Sequence, residues 1–444
     1  MPRTEIWFRF LPRPLRSRLA GRPNLWRILT NIVWLFGDRF LRLGVGLVLS
    51  VWIARYLGPV QFGVLNYAIA FVGLFLPVAM LGLDQVVVRD LVNQPDRRDE
   101  ILGTAFGLKL LSGFLSLGAA IVVIVLLRPA DGLLHLLVVL SGTTLVVQAF
   151  DTIDLSFQSQ VRSKFPVIAR NASFLTVAAI RLALILTAAP LVAFAAAISL
   201  EATLTAIGLV GVYWLSGASL RSWRPVRPRA ASLLRASWPL MFSGLAIAIY
   251  MRIDQVMLGE MLGDEAEVGI YAAAVRISEV WYFIPTAVVS SVAPALIQAR
   301  TRDAGLYARR VQQLLNSMAL LGYAVAIPVT LLAGPMMWLY GAEFAGGGPT
   351  LAVHIWAGLF VCLGLAQNAW LLNEGLTRFT LASTVLGAAL NIGLNLILIP
   401  DYGSLGAAIA TLISYGITVA VVCFFYEPTR PIGRMILKAM LIRR

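Results

Sequence analysis

From residue 28 to residue 426 the chain alternates long apolar stretches with short polar gaps. The stretches cover residues 28–54, 62–83, 101–127, 133–155, 166–188, 190–215, 238–262, 268–297, 311–333, 351–372, 379–399 and 405–426. Each reaches the roughly 20 residues that cross a hydrocarbon core as a helix. The pattern therefore predicts an all-α polytopic membrane protein of about twelve transmembrane helices. Composition agrees, because 59% hydrophobic and 13% charged residues leave too little polar surface to coat a soluble globule of 444 residues. No gap is long enough to hold a soluble domain.

Charge orients the pattern. The chain carries 36 basic and 22 acidic residues, a net charge of +14. In a soluble chain that balance would suggest nucleic acid, but here the arginines sit in alternate gaps. One set holds Arg89, Arg97 and Arg98; Arg162 and Lys164; Arg221, Arg224, Arg227, Arg229 and Arg235; Arg300, Arg302, Arg309 and Arg310; and Arg378. With both termini included, 27 of the 36 basic residues lie on that side, against Arg55 and Arg128 in the opposite gaps. The opposite gaps hold acids instead: Asp131, Glu260, Asp264, Glu265, Glu267, Glu343 and Asp401. The basic side is expected to be cytoplasmic, with both termini on it, and nucleic acid is not expected as a partner. Residues 1–27 form a basic arm that can lie on an anionic leaflet, since Trp7, Phe8, Phe10 and Leu11 are interleaved with its arginines. A transit peptide has a similar composition, but no small-residue cleavage site follows a short apolar region, so the first span is expected to stay as an anchor. Residues 427–444 form a basic amphipathic tail. Cys362 and Cys423 lie inside spans and His135 and His354 are isolated, so neither a disulfide, a metal site nor a cofactor is expected.

The halves of the chain match at a nearly constant offset. Leu57-Gly58 pairs with Leu262-Gly263, Gly63 with Gly269, Pro77 with Pro285, Arg170 with Arg378, Thr176 with Thr384, and Ala195-Ala196-Ala197-Ile198 with Gly406-Ala407-Ala408-Ile409. Six spans in each half make both enter from the same side, so the expected relation is a pseudo-two-fold axis along the membrane normal. The expected division is a first six-helix bundle over 28–216, a cytoplasmic linker over 217–236 and a second bundle over 237–426. Pro225, Pro228 and the surrounding arginines give the stretch 217–229 the composition of an exposed linker.

Several passages carry a family resemblance. They are Ile253-Asp254-Gln255-Val256-Met257-Leu258-Gly259 with Val268-Gly269-Ile270-Tyr271-Ala272-Ala273-Ala274-Val275-Arg276-Ile277-Ser278-Glu279, then Leu390-Asn391-Ile392-Gly393-Leu394-Asn395 with Ile399-Pro400-Asp401-Tyr402-Gly403-Ser404-Leu405-Gly406, and Leu57-Gly58-Pro59-Val60-Gln61-Phe62-Gly63. They resemble the polysaccharide transport family, the O-antigen or Wzx-like flippases of the multidrug/oligosaccharidyl-lipid/polysaccharide (MOP) superfamily. The resemblance implies a MATE-like pair of pseudo-symmetric six-helix bundles in a bacterial inner membrane. It also implies export of an oligosaccharide linked to a carrier of the undecaprenyl-pyrophosphate type, with membrane lipids and polysaccharide polymerase machinery as partners. Lipid II flippases and multidrug or cation antiporters share that fold and are the alternatives. A membrane glycan polymerase or ligase normally needs a large external loop, which is missing, and no G-x-x-x-x-G-K-[ST] sequence supports an ATP-driven exporter.

Charges inside spans cost about 2.5–3.5 kcal/mol each on insertion scales, so each is a functional candidate. They include Asp38, Arg39, Arg42, Asp84, Lys109, Asp151, Asp154, Arg181, Glu201, Arg252, Asp254, Arg276 and Glu279. At 1.5 Å per residue Arg39, Arg42 and Arg252 lie roughly 16 to 21 Å inside their spans, and Arg276 reaches a similar depth from the other side. Arg39, Arg42, Arg252 and Arg276 are therefore expected to meet in a central cavity, where guanidinium forks would suit the carrier's pyrophosphate. The competing reading is internal pairing: Asp38 with Arg42, Arg276 with Glu279, Arg181 with Glu201. Asp254 faces away from Arg252 and is a candidate to hold a coupling cation or cap a helix. Pro77 and Pro285, at matching places, are candidate hinges, though prolines also occur in membrane helices for purely structural reasons.

Overall fold

The computed structural model describes residues 23–441. We number its α-helices in chain order. The first half holds α1 (Pro23–Met80), α2 (Leu83–Asn93), α3 (Arg98–Leu127), α4 (Gly132–Val147), α5 (Thr152–Ser159), α6 (Lys164–Leu186) and α7 (Leu191–Leu215). The second holds α8 (Arg227–Leu262), α9 (Glu265–Glu279), α10 (Phe283–Arg302), α11 (Ala304–Leu331), α12 (Ala333–Trp338), α13 (Gly348–His354), α14 (Ala357–Asn373), α15 (Thr377–Gly416) and α16 (Arg430–Met440). Most of the arm expected over residues 1–27, and the end of the tail, lie outside the described residues.

Among the described residues, ten helical stretches are long and apolar enough to cross a membrane. Two of them, Gly37–Asn93 and Thr377–Phe424, have 57 and 48 residues. At 1.5 Å per residue each runs far beyond a roughly 30 Å core. Each breaks once at a glycine, Gly58 (φ 69°, ψ 172°) and Gly403 (φ 54°, ψ −132°). The chain folds back at both places. Gly46 and Ile69, on opposite sides of Gly58, line one cavity, and a Cβ on Gly406 would stand 2.3 Å from the carbonyl oxygen of Leu398. Ten stretches with two reversals make the expected twelve crossings. Many side chains on them stay uncovered, Leu126, Leu186 and Leu215 among them, because lipid rather than protein completes their burial.

The internal repeat is visible in the backbone. Gly58 and its match Gly263 both take a left-handed φ, at 69° and 62°, and each ends the first span of its half. Five and six residues further on, the matched pair Gly63 and Gly269 pack on each other. A Cβ on Gly63 would lie 1.7 Å from the Glu265 carbonyl oxygen, and a Cβ on Gly269 would lie 2.1 Å from the Pro59 carbonyl oxygen. Glu265 stands at the same offset from Pro59 as Gly269 does from Gly63. Such reciprocal contacts between equivalent residues mark a two-fold axis, and only glycine lets the two backbones approach this closely.

This end of the molecule is closed by further contacts between the halves. Arg128 donates to Glu260 (2.7 Å), to Glu265 and to the Gly259 carbonyl (2.6 Å), and lies 4.8 Å over the Tyr67 ring. Tyr67 donates to the same Glu260 at 2.6 Å, and Arg55 reaches the Leu339 carbonyl at 2.7 Å. At the opposite end the linker is packed rather than free. Arg224 N donates to Asp99 O and Val226 N to Thr104 Oγ1, and buried Arg229 donates to Gln94 Oε1 at 2.5 Å beside Asp90 and Glu100. The helix of the seventh span starts inside the expected linker, at Arg227, because Pro228 suits a first helical turn. In the tail, α16 buries Ile432, Ile436 and Ala439 against the second bundle and leaves Arg434 and Lys438 exposed.

Candidate functional site

Two spans are interrupted near the middle of the fold, and both interruptions line a cavity. In the fourth span α4 gives way to a 3-10 turn over Gln148–Asp151 before α5 resumes. In the eighth span α9 ends at Glu279 and α10 starts at Phe283. Pro285 explains that break, since it lacks an N–H for the Trp281 carbonyl and its ring crowds that oxygen, which accepts from Ile284 N instead. Pro77 produces no such break. Its helix continues to Met80 and ends at Leu81 and Gly82, both with positive φ, while Pro77 itself packs against Gly244 of the second half. Irregular backbone at this depth is tolerated where it faces a polar cavity.

The space between the bundles divides into adjoining chambers that share lining residues. One of about 330 Å³ is bounded by Arg42, Asn66, Arg252, Gln255, Arg276 and Glu279, so three arginines face one glutamate. A second of about 300 Å³, towards the closed end, holds Arg42, Arg181 and Arg276 against Glu201. A third of about 440 Å³ is cut into the first bundle and contains Asp38, Arg39, Arg42, Asp151, Arg170 and Glu201 with Thr144, Gln148 and Thr205. A fourth, of about 300 Å³, runs from Arg252 past Pro77 to Gln148. All four expected arginines thus come to one connected space. Arg39, Arg252 and Arg276 are exposed to it.

Their partners differ. Arg42 pairs with Asp38 at 2.9 Å, as expected for i,i+4, lies 3.8 Å from Glu201, and sits 5.0 Å over the Phe174 ring. Arg181 pairs with Glu201 at 3.0 Å, also as expected. The expected pair of Arg276 with Glu279 does not form. Arg276 donates to Ser50 Oγ at 3.2 Å across the bundle interface, and Glu279 stands at the helix end where α9 breaks. Among the described residues no carboxylate lies within ion-pair distance of Arg39, Arg252 or Arg276. Asp254 is turned away from the cavity, as its two-residue step from Arg252 implies. Its buried carboxylate accepts from Tyr271 (2.6 Å), Thr411 (2.6 Å) and Asn395 (2.5 Å), with Asn391 beside Asn395. It caps no helix end. Arg170 was legible only as a repeat marker, yet it bridges Asp151 and Asp154 at 2.9 and 3.0 Å on the cavity wall.

Comparison with known proteins places this geometry. A family described as polysaccharide biosynthesis protein matches residues 28–300, more than half of the chain. The chain belongs to that family. "Probable flippase AglR" of Haloferax volcanii is 31% identical over 217 residues, which are 47% of this chain and 44% of that protein. "Probable low-salt glycan biosynthesis flippase Agl15" of the same organism is 26% identical over 220 residues, 47% and 45% of the two chains. The chain thus spans about half the length of the curated relatives it matches. Two solved structures share the fold over nearly the whole chain. An inward-facing MATE-family multidrug transporter of the MOP superfamily superposes with a TM-score of 0.70 at 16% identity, covering 90% of this chain and 95% of that one. The lipid II flippase MurJ in an inward closed conformation gives 0.69 at 15% identity, covering 93% and 91%. The protein is accordingly a multi-pass membrane protein of the MOP fold.

Proposed function

We propose that this protein flips an isoprenoid-pyrophosphate-linked oligosaccharide from the cytoplasmic to the outer leaflet of a bacterial inner membrane during surface polysaccharide biosynthesis. The observation that carries the reading is the excess of arginine in the inter-bundle chambers, where Arg42, Arg252 and Arg276 face Glu279 alone. Guanidinium groups inside a membrane protein without counter-ions, as Arg252 and Arg276 are among the described residues, are costly, and a pyrophosphate supplies the missing charge with oxygens that match the forked donors. The names of the curated relatives, both flippases, support the same chemistry. An excess of cationic groups suits an anionic ligand better than a cationic drug, which separates this reading from a multidrug antiporter.

By the charge asymmetry, both termini and the stretch 217–229 are cytoplasmic, and the end closed by Gly63, Gly269 and Arg128 faces outward. The carrier enters from the linker end, its pyrophosphate reaches the arginines, and rocking of the 28–216 and 237–426 bundles opens the Arg128 contacts for release. Pro285 and Pro77 are the hinge positions in this scheme, Asp38 orients Arg42 in the empty cavity, and polymerase machinery takes over the exported glycan. Asp254 is the candidate coupling group, because the side chains of Tyr271, Thr411, Asn395 and Asn391 cluster at its carboxylate and, among the described residues, no Lys or Arg pairs with it. Proteoliposomes loaded with lipid-linked oligosaccharide test the reading. Appearance of unlengthened glycan in the opposite leaflet supports it; lengthened glycan, or no transfer while a cationic drug is moved, refutes it.

A further inference from the structure

The 440 Å³ chamber of the first bundle differs in charge from its neighbours. Its arginines, Arg39, Arg42 and Arg170, are matched in number by Asp38, Asp151 and Glu201, whereas the two chambers beside it each hold three arginines and one acid. A balanced set of fixed donors and acceptors gains nothing from binding an anion. It suits a neutral ligand rich in hydroxyl groups, each of which both donates and accepts.

Two further observations point to such a ligand. The amide of Gln148 and the hydroxyl of Thr205 line the chamber, and among the described residues neither side chain has a hydrogen-bond partner. Gln148 is brought there by the 3-10 turn that interrupts the fourth span, a backbone irregularity with no proline to account for it. Most of the charged wall, by contrast, is already held, Arg170 by Asp151 and Asp154, Asp154 by Gln158 at 3.0 Å, Arg42 by Asp38 and Glu201 by Arg181, which leaves Arg39 as the wall's one charge without an acidic partner among the described residues. Pre-oriented charges flanking uncommitted amide and hydroxyl groups, with the Phe150 ring on one side, form a site that needs no rearrangement to accept a sugar.

We infer that this chamber is the subsite for the carrier-proximal sugars, distinct from the arginine chambers that take the pyrophosphate. It rests on the flippase reading and specifies where the glycan lies. Arg42 and Glu201 border both kinds of chamber, so one molecule can place its phosphates and its first sugars in them together. Specificity for the glycan is then set by Gln148, Thr205, Asp151 and Thr144 of the first bundle, and Arg42, Arg252 and Arg276 at the bundle interface read the phosphates.

The test compares two probes on the purified full-length protein in lipid nanodiscs: a bare isoprenyl pyrophosphate, and the lipid-linked oligosaccharide pool extracted from the cells that make the protein. The variant is Gln148→Leu with Thr205→Val, which removes hydrogen-bonding groups while keeping volume and touching no ion pair. Loss of two ligand hydrogen bonds weakens the glycosylated probe about 10-fold or more and leaves the bare probe unchanged. An unchanged affinity for the glycosylated probe, or an equal loss for both probes, overturns the subsite. Wild-type protein that binds neither probe overturns the flippase reading itself, a separate outcome. A melting temperature equal to wild type shows that the variant is folded.

Discussion

Gly63→Ala tests the crossing of the two halves. The added Cβ would lie 1.7 Å from the Glu265 carbonyl oxygen and 2.9 Å from Gly269 N, well inside the roughly 3.5 Å at which carbon makes favourable contact. Both obstructions are backbone, so no side-chain rotation relieves them and the bundles must part at this end. Overpacking costs about 1–3 kcal/mol, and an obstruction by backbone belongs at the top of that range. Since the clash exists only while this end is closed, the cost acts on the closed conformer alone. A bias of about 3 kcal/mol shifts the balance towards the conformer open at this end by roughly 150-fold. The assay is labelling of a cysteine placed at Ile53, which lines the chamber beneath the crossing, with a membrane-impermeant maleimide; Cys362 and Cys423 are buried. Gly63→Ala and Gly269→Ala should each accelerate labelling from that side. Because both strike the same crossing, the double variant should add less than the sum of the two. Unchanged labelling in both variants would refute the proposed axis contact, and strict additivity would refute the shared crossing.

Arg128→Ala removes the contacts to Glu260, Glu265 and Gly259 at the closed end and should increase labelling at Ile53 in the same direction, with Glu260→Gln giving a smaller effect. Asp84→Asn leaves the fully buried Lys109 side chain without its 2.5 Å partner and should lower the melting temperature, by about 2–3 kcal/mol of stability, whereas Asp84→Asn with Lys109→Met should recover most of the loss. Arg229→Ala frees the linker from Gln94, Asp90 and Glu100, and limited proteolysis should then cut near residue 221 faster than in wild type.

Much of the fold is legible in the chain because membrane crossing imposes a length and the repeat imposes an offset. Gly63 and Gly269 stood out as a matched pair, and the structure gives the reason: they pack on each other at the axis. The apolar pattern already divides twelve spans, with gaps at 55–61 and 400–404, and in the structure helix runs on through both gaps and reverses at Gly58 and Gly403. At the cavity, local sequence spacing worked where the helix stays regular. Asp38 and Arg42 pair at i,i+4, but Arg276 and Glu279 do not, because α9 ends at Glu279 and Arg276 reaches Ser50 in the other half. The Asp254 cluster was hidden because Tyr271, Asn395 and Thr411 are distant in sequence and individually ordinary for a membrane helix. Gln148 was hidden for a different reason. Its role depends on a 3-10 turn in a stretch whose composition reads as continuous helix.

The central claim, that unpaired arginines hold the carrier's pyrophosphate, is tested most directly by flipping of lipid-linked oligosaccharide in proteoliposomes of Arg252→Ala and Arg276→Ala, the two unpaired arginines of the 330 Å³ chamber. Neither arginine has an acidic partner among the described residues, so its loss should leave folding and expression intact. Flipping should fall by tenfold or more in each, the scale of one charge-assisted contact of about 1.5–3 kcal/mol. Lysine at either position should restore it only in part, since it keeps the charge but not the planar fork. Flipping at the wild-type rate by both alanine variants, with the protein folded in the same vesicles, would contradict the account.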